Sequence, residues 1–165
     1  MENNIIRLLI ISHDVIGSQM AGPGIRFYEF ARVLSPFCEV TLATPNRVDL
    51  KADGFKVRQY NTQDYRSLKA LTDNADIILI QGHIIYSFPY LKNFKGKIIV
   101  DLYNPFNLES LEMFADRDIG ERIRIDKSNL NILKLQLVIG DFFICASEKQ
   151  RDYWVGMLNA MGRIN

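Results

Sequence analysis

The run Ile5-Ile6-Arg7-Leu8-Leu9-Ile10-Ile11, passing through Ser12-His13-Asp14 into Gly17-Ser18-Gln19-Met20-Ala21-Gly22-Pro23-Gly24, decides the fold. A nearly continuous β-branched run with no polar alternation suits a strand buried on both faces, the condition of strands in helix-covered parallel sheets. Glycines then break the strand, and the apolar positions from Ile25 to Leu34 recur at helical spacing until Ser35-Pro36 stops them. Strand, loop and helix in that order form the first half of a βαβ unit.

Working outward, the same grammar repeats. Apolar, β-branched runs recur at Glu39–Ala43, Asp76–Ile80, Lys97–Leu102 and Asp141–Cys145, with a weaker one at Lys56–Tyr60. Helical patterns lie between them at Gln63–Thr72, Ile85–Leu91 (weak), Leu108–Phe114 and Ile119–Val138, and one from Glu148 to about Met161 closes the chain. Thr44-Pro45-Asn46 and Asn104-Pro105 punctuate strand ends. Crossovers of this length suit parallel pairing. The expected fold is α/β: a Rossmann-like, doubly wound, mainly parallel sheet of six or seven strands with helices on both faces, one domain over 1–165.

Composition sets bounds. The 165 residues are 48% hydrophobic, enough for a core, and the formal net charge is +1. That balance gives no footprint for nucleic acid and no polybasic patch. The two cysteines, Cys38 and Cys145, sit in apolar runs and read as buried thiols of a reducing compartment. No Cys/His cluster suggests a metal. Met1-Glu2-Asn3-Asn4 has no basic leader, and the first apolar run is too short to span a bilayer, so the expected location is cytoplasmic.

Ligands of open α/β sheets bind outside the carboxyl ends of the strands. Those positions hold His13 and Asp14, then Gln81-Gly82-His83, then Tyr103-Asn104-Pro105, and finally Ala146-Ser147-Glu148. The glycine loop running into a helix offers backbone N–H groups and a favourable dipole to a phosphate, with Arg26 as a second charge, although glycine-rich βα loops are also common as plain turns. It departs from the dinucleotide fingerprint: Phe27 stands where a third glycine belongs, the glycines start late, and no acidic residue ends the second strand. The P-loop lacks its Gly-Lys-Ser/Thr. His83 and His13 are each either a ligand contact or a surface loop histidine. Ser147-Glu148 matches an N-cap with an acidic first turn. Glu109 and Glu112, a turn apart, read first as a solvated helix face.

Three segments carry a family resemblance. Gly22-Pro23-Gly24-Ile25-Arg26-Phe27-Tyr28-Glu29-Phe30-Ala31-Arg32-Val33-Leu34 with Glu39-Val40-Thr41-Leu42-Ala43-Thr44, Asp76–His83, and Ala146-Ser147-Glu148-Lys149-Gln150-Arg151-Asp152 together resemble the N-terminal domain of retaining GT-B glycosyltransferases of the family-four (group 1) type. The resemblance implies transfer of a sugar from a nucleoside diphosphate sugar donor, with no other cofactor, to a saccharide, lipid-linked or small-molecule acceptor. Any membrane contact would come through that acceptor. It implies Gly22, Gly24 and Arg26 at the donor phosphates, His83 as the catalytic contact, and His13, Asp14, Ser147 and Glu148 around the acceptor cleft. A second, donor-binding domain is absent from these residues, so the domain alone is expected to be inactive. The alternatives are a stand-alone flavodoxin-like binding module and a non-catalytic partner of another transferase.

Overall fold

β1 (Arg7–Ile11) is the centre of the molecule because both of its faces are apolar. The structure is a computed structural model describing residues 5–164; the leaderless start read from Met1–Asn4 and the terminal Asn165 lie outside the described residues. β1 pairs in parallel with β2 (Glu39–Thr44) on one side and β4 (Ile77–Gln81) on the other, Ile10 lying level with Leu42 and Leu79. β3 (Lys56–Gln59) extends the sheet beyond β2, and β5 (Lys97–Asp101) then β6 (Phe142–Ile144) extend it beyond β4. The six strands run in the order β3-β2-β1-β4-β5-β6, all pairs parallel. This is the Rossmann-like α/β fold that the alternation of runs predicts.

Successive side chains of a strand point to opposite faces, so β1 feeds two cores. Leu8 and Ile10 meet Phe27 and Ala31 of α1 (Gly22–Leu34). Leu9 and Ile11 join the opposite core, with Leu68 of α2 (Tyr65–Thr72), Ile84 and Ile85 of α3 (Ile84–Ser87), Leu133 and Leu137 of α5 (Ile119–Ile139) and Trp154 of α6 (Glu148–Ala160). α4 (Phe106–Met113) precedes α5 in the long crossover to β6.

Two boundaries differ from the sequence reading. Gly22-Pro23-Gly24 is the first turn of α1 rather than the end of a loop. Proline suits that place because its missing N–H is one the helix start leaves unpaired and its φ is preset. The weak pattern at 85–91 resolves into the single turn α3 and a 3-10 turn at Pro89–Asn93, since Pro89 cannot continue an α-helix. Among the described residues, no helix is long and apolar enough to cross a membrane.

Phe27 is fully buried whereas Phe142 on the edge strand β6 is 60% exposed. Phe27→Ala is therefore expected to cost about 3–5 kcal/mol. Phe142→Ala should stay within about 0.5 kcal/mol. Urea unfolding of the two variants checks the contrast.

Candidate functional site at the strand-order switch

The chain winds outward from β1 to β3, then returns to β4 and winds the other way, so a crevice opens between the loops that follow β1 and β4. A cavity of about 190 Å³ occupies it. His13 and Asp14 line it from the first loop, Gln81, Gly82 and His83 from the second, and Pro23, Asn104 and Phe106 close it. The Tyr60 hydroxyl, just past β3, donates to the Ser12 carbonyl at 2.8 Å and fixes the start of the first loop. Burial pushes the Tyr60 pKa up to about 12, so the hydroxyl remains a donor at all working pH.

Gln81 ends β4 and is only 5% exposed, yet its Nε2 has no hydrogen-bond partner. The polar groups around it are spent elsewhere. Asp101, its register partner on β5, is taken by Arg26, and the Gln136 amide donates to the Gly82 carbonyl. A buried donor left unpaired costs about 1–3 kcal/mol. Gly82 then turns the chain at φ 58°, a left-handed conformation that glycine adopts without strain. This turn places His83 at the N-cap of α3, its ring 5.6 Å from that of His13 and 5.2 Å from that of Phe106. Burial lowers the His83 pKa, and His13 lowers it further. At neutral pH its imidazole is uncharged and offers one donor and one acceptor.

The first turn of α1 divides its two glycines. A Cβ on Gly24 would lie 2.6 Å from the Val15 carbonyl and 3.0 Å from the Met20 Cβ, so this glycine serves the close fold-back of the loop onto the helix. A Cβ on Gly22 would meet only the Tyr103 hydroxyl, at 3.5 Å. Ala21, the N-cap, has no side chain to bond the helix N–H groups, and of this first turn Pro23 lines the crevice. Arg26 points its guanidinium inward. Nε and Nη2 donate to Asp101 at 2.7 and 3.1 Å, and the group lies over the rings of Phe30 and Tyr103 at 4.7 and 5.0 Å. Burial pushes the Asp101 carboxyl up, against the pull of the two Arg26 bonds. The pair ties α1 to β5 beside the crevice.

Ser147 and Glu148 stand apart from this cavity. The Ser147 hydroxyl accepts from the Gln150 N–H at 3.2 Å and caps α6, with Glu148 exposed in its first turn. Glu109 lines a separate cleft between α4 and α5, which Glu112 does not reach. Sequence reasoning assigns no role to Gln81, Asn104 or Phe106. The one signal for Gln81 is an amide closing an otherwise apolar strand.

No family model and no curated protein sequence matches the chain. Among solved structures, a short-chain dehydrogenase/reductase (ethylated) from Veillonella parvula is similar over 86% of this chain and 67% of that one, with a TM-score of 0.50 and 12% identity. A wide-type short-chain dehydrogenase/reductase from the same organism, in complex with NADP, covers 86% and 68% with a TM-score of 0.47 and 13% identity. A short-chain dehydrogenase from Leptospira borgpetersenii with bound NAD+ covers 63% and 53%, with a TM-score of 0.39 and 14% identity. Identity this low shows the shared fold alone.

These findings overturn the kinship with GT-B glycosyltransferases: the chain shares its fold with a short-chain dehydrogenase/reductase, and no glycosyltransferase family model matches. The sugar-transfer activity falls with it, as do the nucleoside diphosphate sugar in place of any cofactor, the saccharide or lipid-linked acceptor, and the membrane contact through that acceptor. The physical reason is that the motifs carrying the resemblance answer local needs. Gly24 is set by the Val15 carbonyl, Arg26 by Asp101, Ser147 by the α6 cap, and Glu39–Thr44 by a buried strand.

The first crossover departs in its geometry, as in its sequence, from a dinucleotide site. Ten residues separate β1 from α1, and the loop they form is held outward: the Asn46 side chain bonds the Ile16 N–H and carbonyl at 3.0 and 2.8 Å, and Asp49 accepts from the Ser18 N–H and hydroxyl at 3.1 and 2.8 Å. β2 ends at Thr44, whose hydroxyl donates to the Asn46 carbonyl, with no carboxylate there for a ribose. Phe27, in place of the third glycine, is buried. The residues do not fit a dinucleotide laid across the first crossover in the usual way.

Gly24→Ala should force the loop off Val15 and cost about 1–3 kcal/mol, as overpacking does. Gly22→Ala should fall within about 0.5 kcal/mol of the parent. Thermal melts of the two variants measure the difference.

Proposed function

We propose that this domain binds a small nucleotide-type ligand in the switch-point crevice, where a ligand oxygen accepts from Gln81 Nε2. The observation that carries the reading is the unpaired Gln81 amide, buried behind the cavity that this residue lines and brought to a ligand by a turn of the side chain, next to a helix start whose N-cap has no capping side chain. In this reading the amides of Gly22 and Gly24, in the turn whose Pro23 lines the cavity, lie nearest a phosphate, and Arg26 acts through Asp101 by holding α1 in place. His13, Asp14 and His83 line the rest, and neutral His83 supplies a donor and an acceptor to ligand hydroxyls. The cavity is smaller than the usual 300–1,000 Å³ of drug-sized sites, which suits one sugar-phosphate portion of a nucleotide rather than a whole dinucleotide. A cytoplasmic setting accords with unpaired Cys38 and Cys145, and burial pushes the Cys38 thiol up, away from reactivity.

Gln81→Leu separates site from scaffold. Replacing an unpaired buried amide with an apolar side chain of like volume is expected to raise stability by about 1 kcal/mol or more while abolishing binding. Amide spectra titrated with ADP and with NADP+ measure the binding. ADP should shift Gly22, Gly82 and the Gln81 side-chain amide, and NADP+ should bind no tighter. An absence of shifts at these groups, or NADP+ binding more than about ten-fold tighter than ADP, overturns the reading.

His83 adds a pH signature. Its pKa in the fold lies below the ordinary 6.5, so near that pH the unfolded chain binds more protons than the folded one. The stabilisation is whole above 6.5 and is lost as pH falls through the depressed value. The melting temperature of the parent should drop between about pH 7.5 and pH 5.5 more than that of His83→Asn, whose side chain does not titrate.

A further inference from the structure

Away from the crevice, α5 and the α3 region enclose a groove of about 670 Å³ whose walls carry Lys92, Arg124 and Lys127 beside Tyr86, Ser128 and Asn131. Among the described residues no carboxylate lines it, although the chain as a whole balances 20 Lys and Arg against 19 Asp and Glu. Eight ion pairs among the described residues engage Arg7, Arg26, Arg32, Lys56, Lys69, Lys97, Arg117 and Arg151, and none of the three groove cations is among them. Three cations on one groove have no carboxylate partner among the described residues, although Arg124 Nε donates to the Gly120 carbonyl at 3.4 Å, and an anion in the groove would supply the missing counter-charge.

We propose that this groove is a site for a phosphate-type anion, held by Lys92, Arg124 and Lys127. The Ser128 and Asn131 side chains add hydrogen-bonding groups from α5. The groove adjoins the cleft that lies beside the crevice. Ser128 lines both it and the α4–α5 cleft of about 400 Å³, and His83 and Phe106 line both that cleft and the crevice cavity. The anion site stands independently of the crevice reading, since its residues are separate.

The test uses inorganic pyrophosphate as the probe, titrated into the isotope-labelled domain. Amide shifts should appear at Lys92, Arg124 and Lys127 and weaken with added salt. The triple variant Lys92→Ala, Arg124→Ala, Lys127→Ala, whose changes are at exposed positions, should melt normally and bind about ten-fold more weakly or worse, whereas Gln81→Leu should keep these shifts. Sedimentation with phosphatidylglycerol vesicles separates the sources of phosphate. Vesicle binding that pyrophosphate displaces and the triple variant loses assigns the site to a lipid headgroup; pyrophosphate binding without vesicle binding assigns it to a free phosphate. Pyrophosphate that leaves the groove amides unshifted, or that binds the triple variant as tightly as the parent, overturns the proposal.

Discussion

Covering β1 on both faces is the constraint on which the remaining structure depends. Leu8 and Ile10 need one layer, Leu9 and Ile11 another, and a chain can supply both only by winding helices over the two sides of the sheet. Winding in two directions from one strand creates a point where the order reverses, and there the two neighbouring loops part. The crevice is therefore a consequence of how the core is closed. Its walls include residues that follow the most buried strands, His13-Asp14 after β1 and Gly82-His83 after Gln81 of β4.

Much of this was legible in the sequence. The strand runs stand out because parallel strands buried on both faces have little polar alternation to blur them. Helix patterns were harder where burial changes along one element. α5 buries Ile132, Leu133 and Leu137 in its second half but exposes Ile119 and Ile123 in its first, so no single apolar stripe runs its length. The start of α1 was hidden by Gly22-Pro23-Gly24, a string that reads as a turn unless proline's place in a first helical turn is weighed.

The site was legible only in part, and the missing portion is long-range. His13 and His83 stand out because each lies in the loop just past the carboxyl end of a buried strand. Arg26 looks like a free charge until Asp101, 75 residues away, is placed beside it. Gln81 gives almost no signal, because its unpaired state depends on what Asp101 and Gln136 do with their own bonds. The family resemblance failed for a related reason. A glycine set by a neighbouring carbonyl, an arginine set by a buried acid and a serine set by a helix cap recur wherever a parallel sheet meets its helices, whatever chemistry the domain performs.

The contrast between Gln81 and Arg26 separates scaffold from site. Half-buried Arg26 and buried Asp101 satisfy each other, and their bond holds α1 against β5. Gln81 is buried and unsatisfied in a place where the fold offers no partner. A crystal structure of the domain grown with ADP tests this most directly. The expected result is ADP in the crevice with one of its oxygens within about 3 Å of Gln81 Nε2. ADP bound elsewhere, or a Gln81 amide turned onto a protein carbonyl beside an empty crevice, would contradict it.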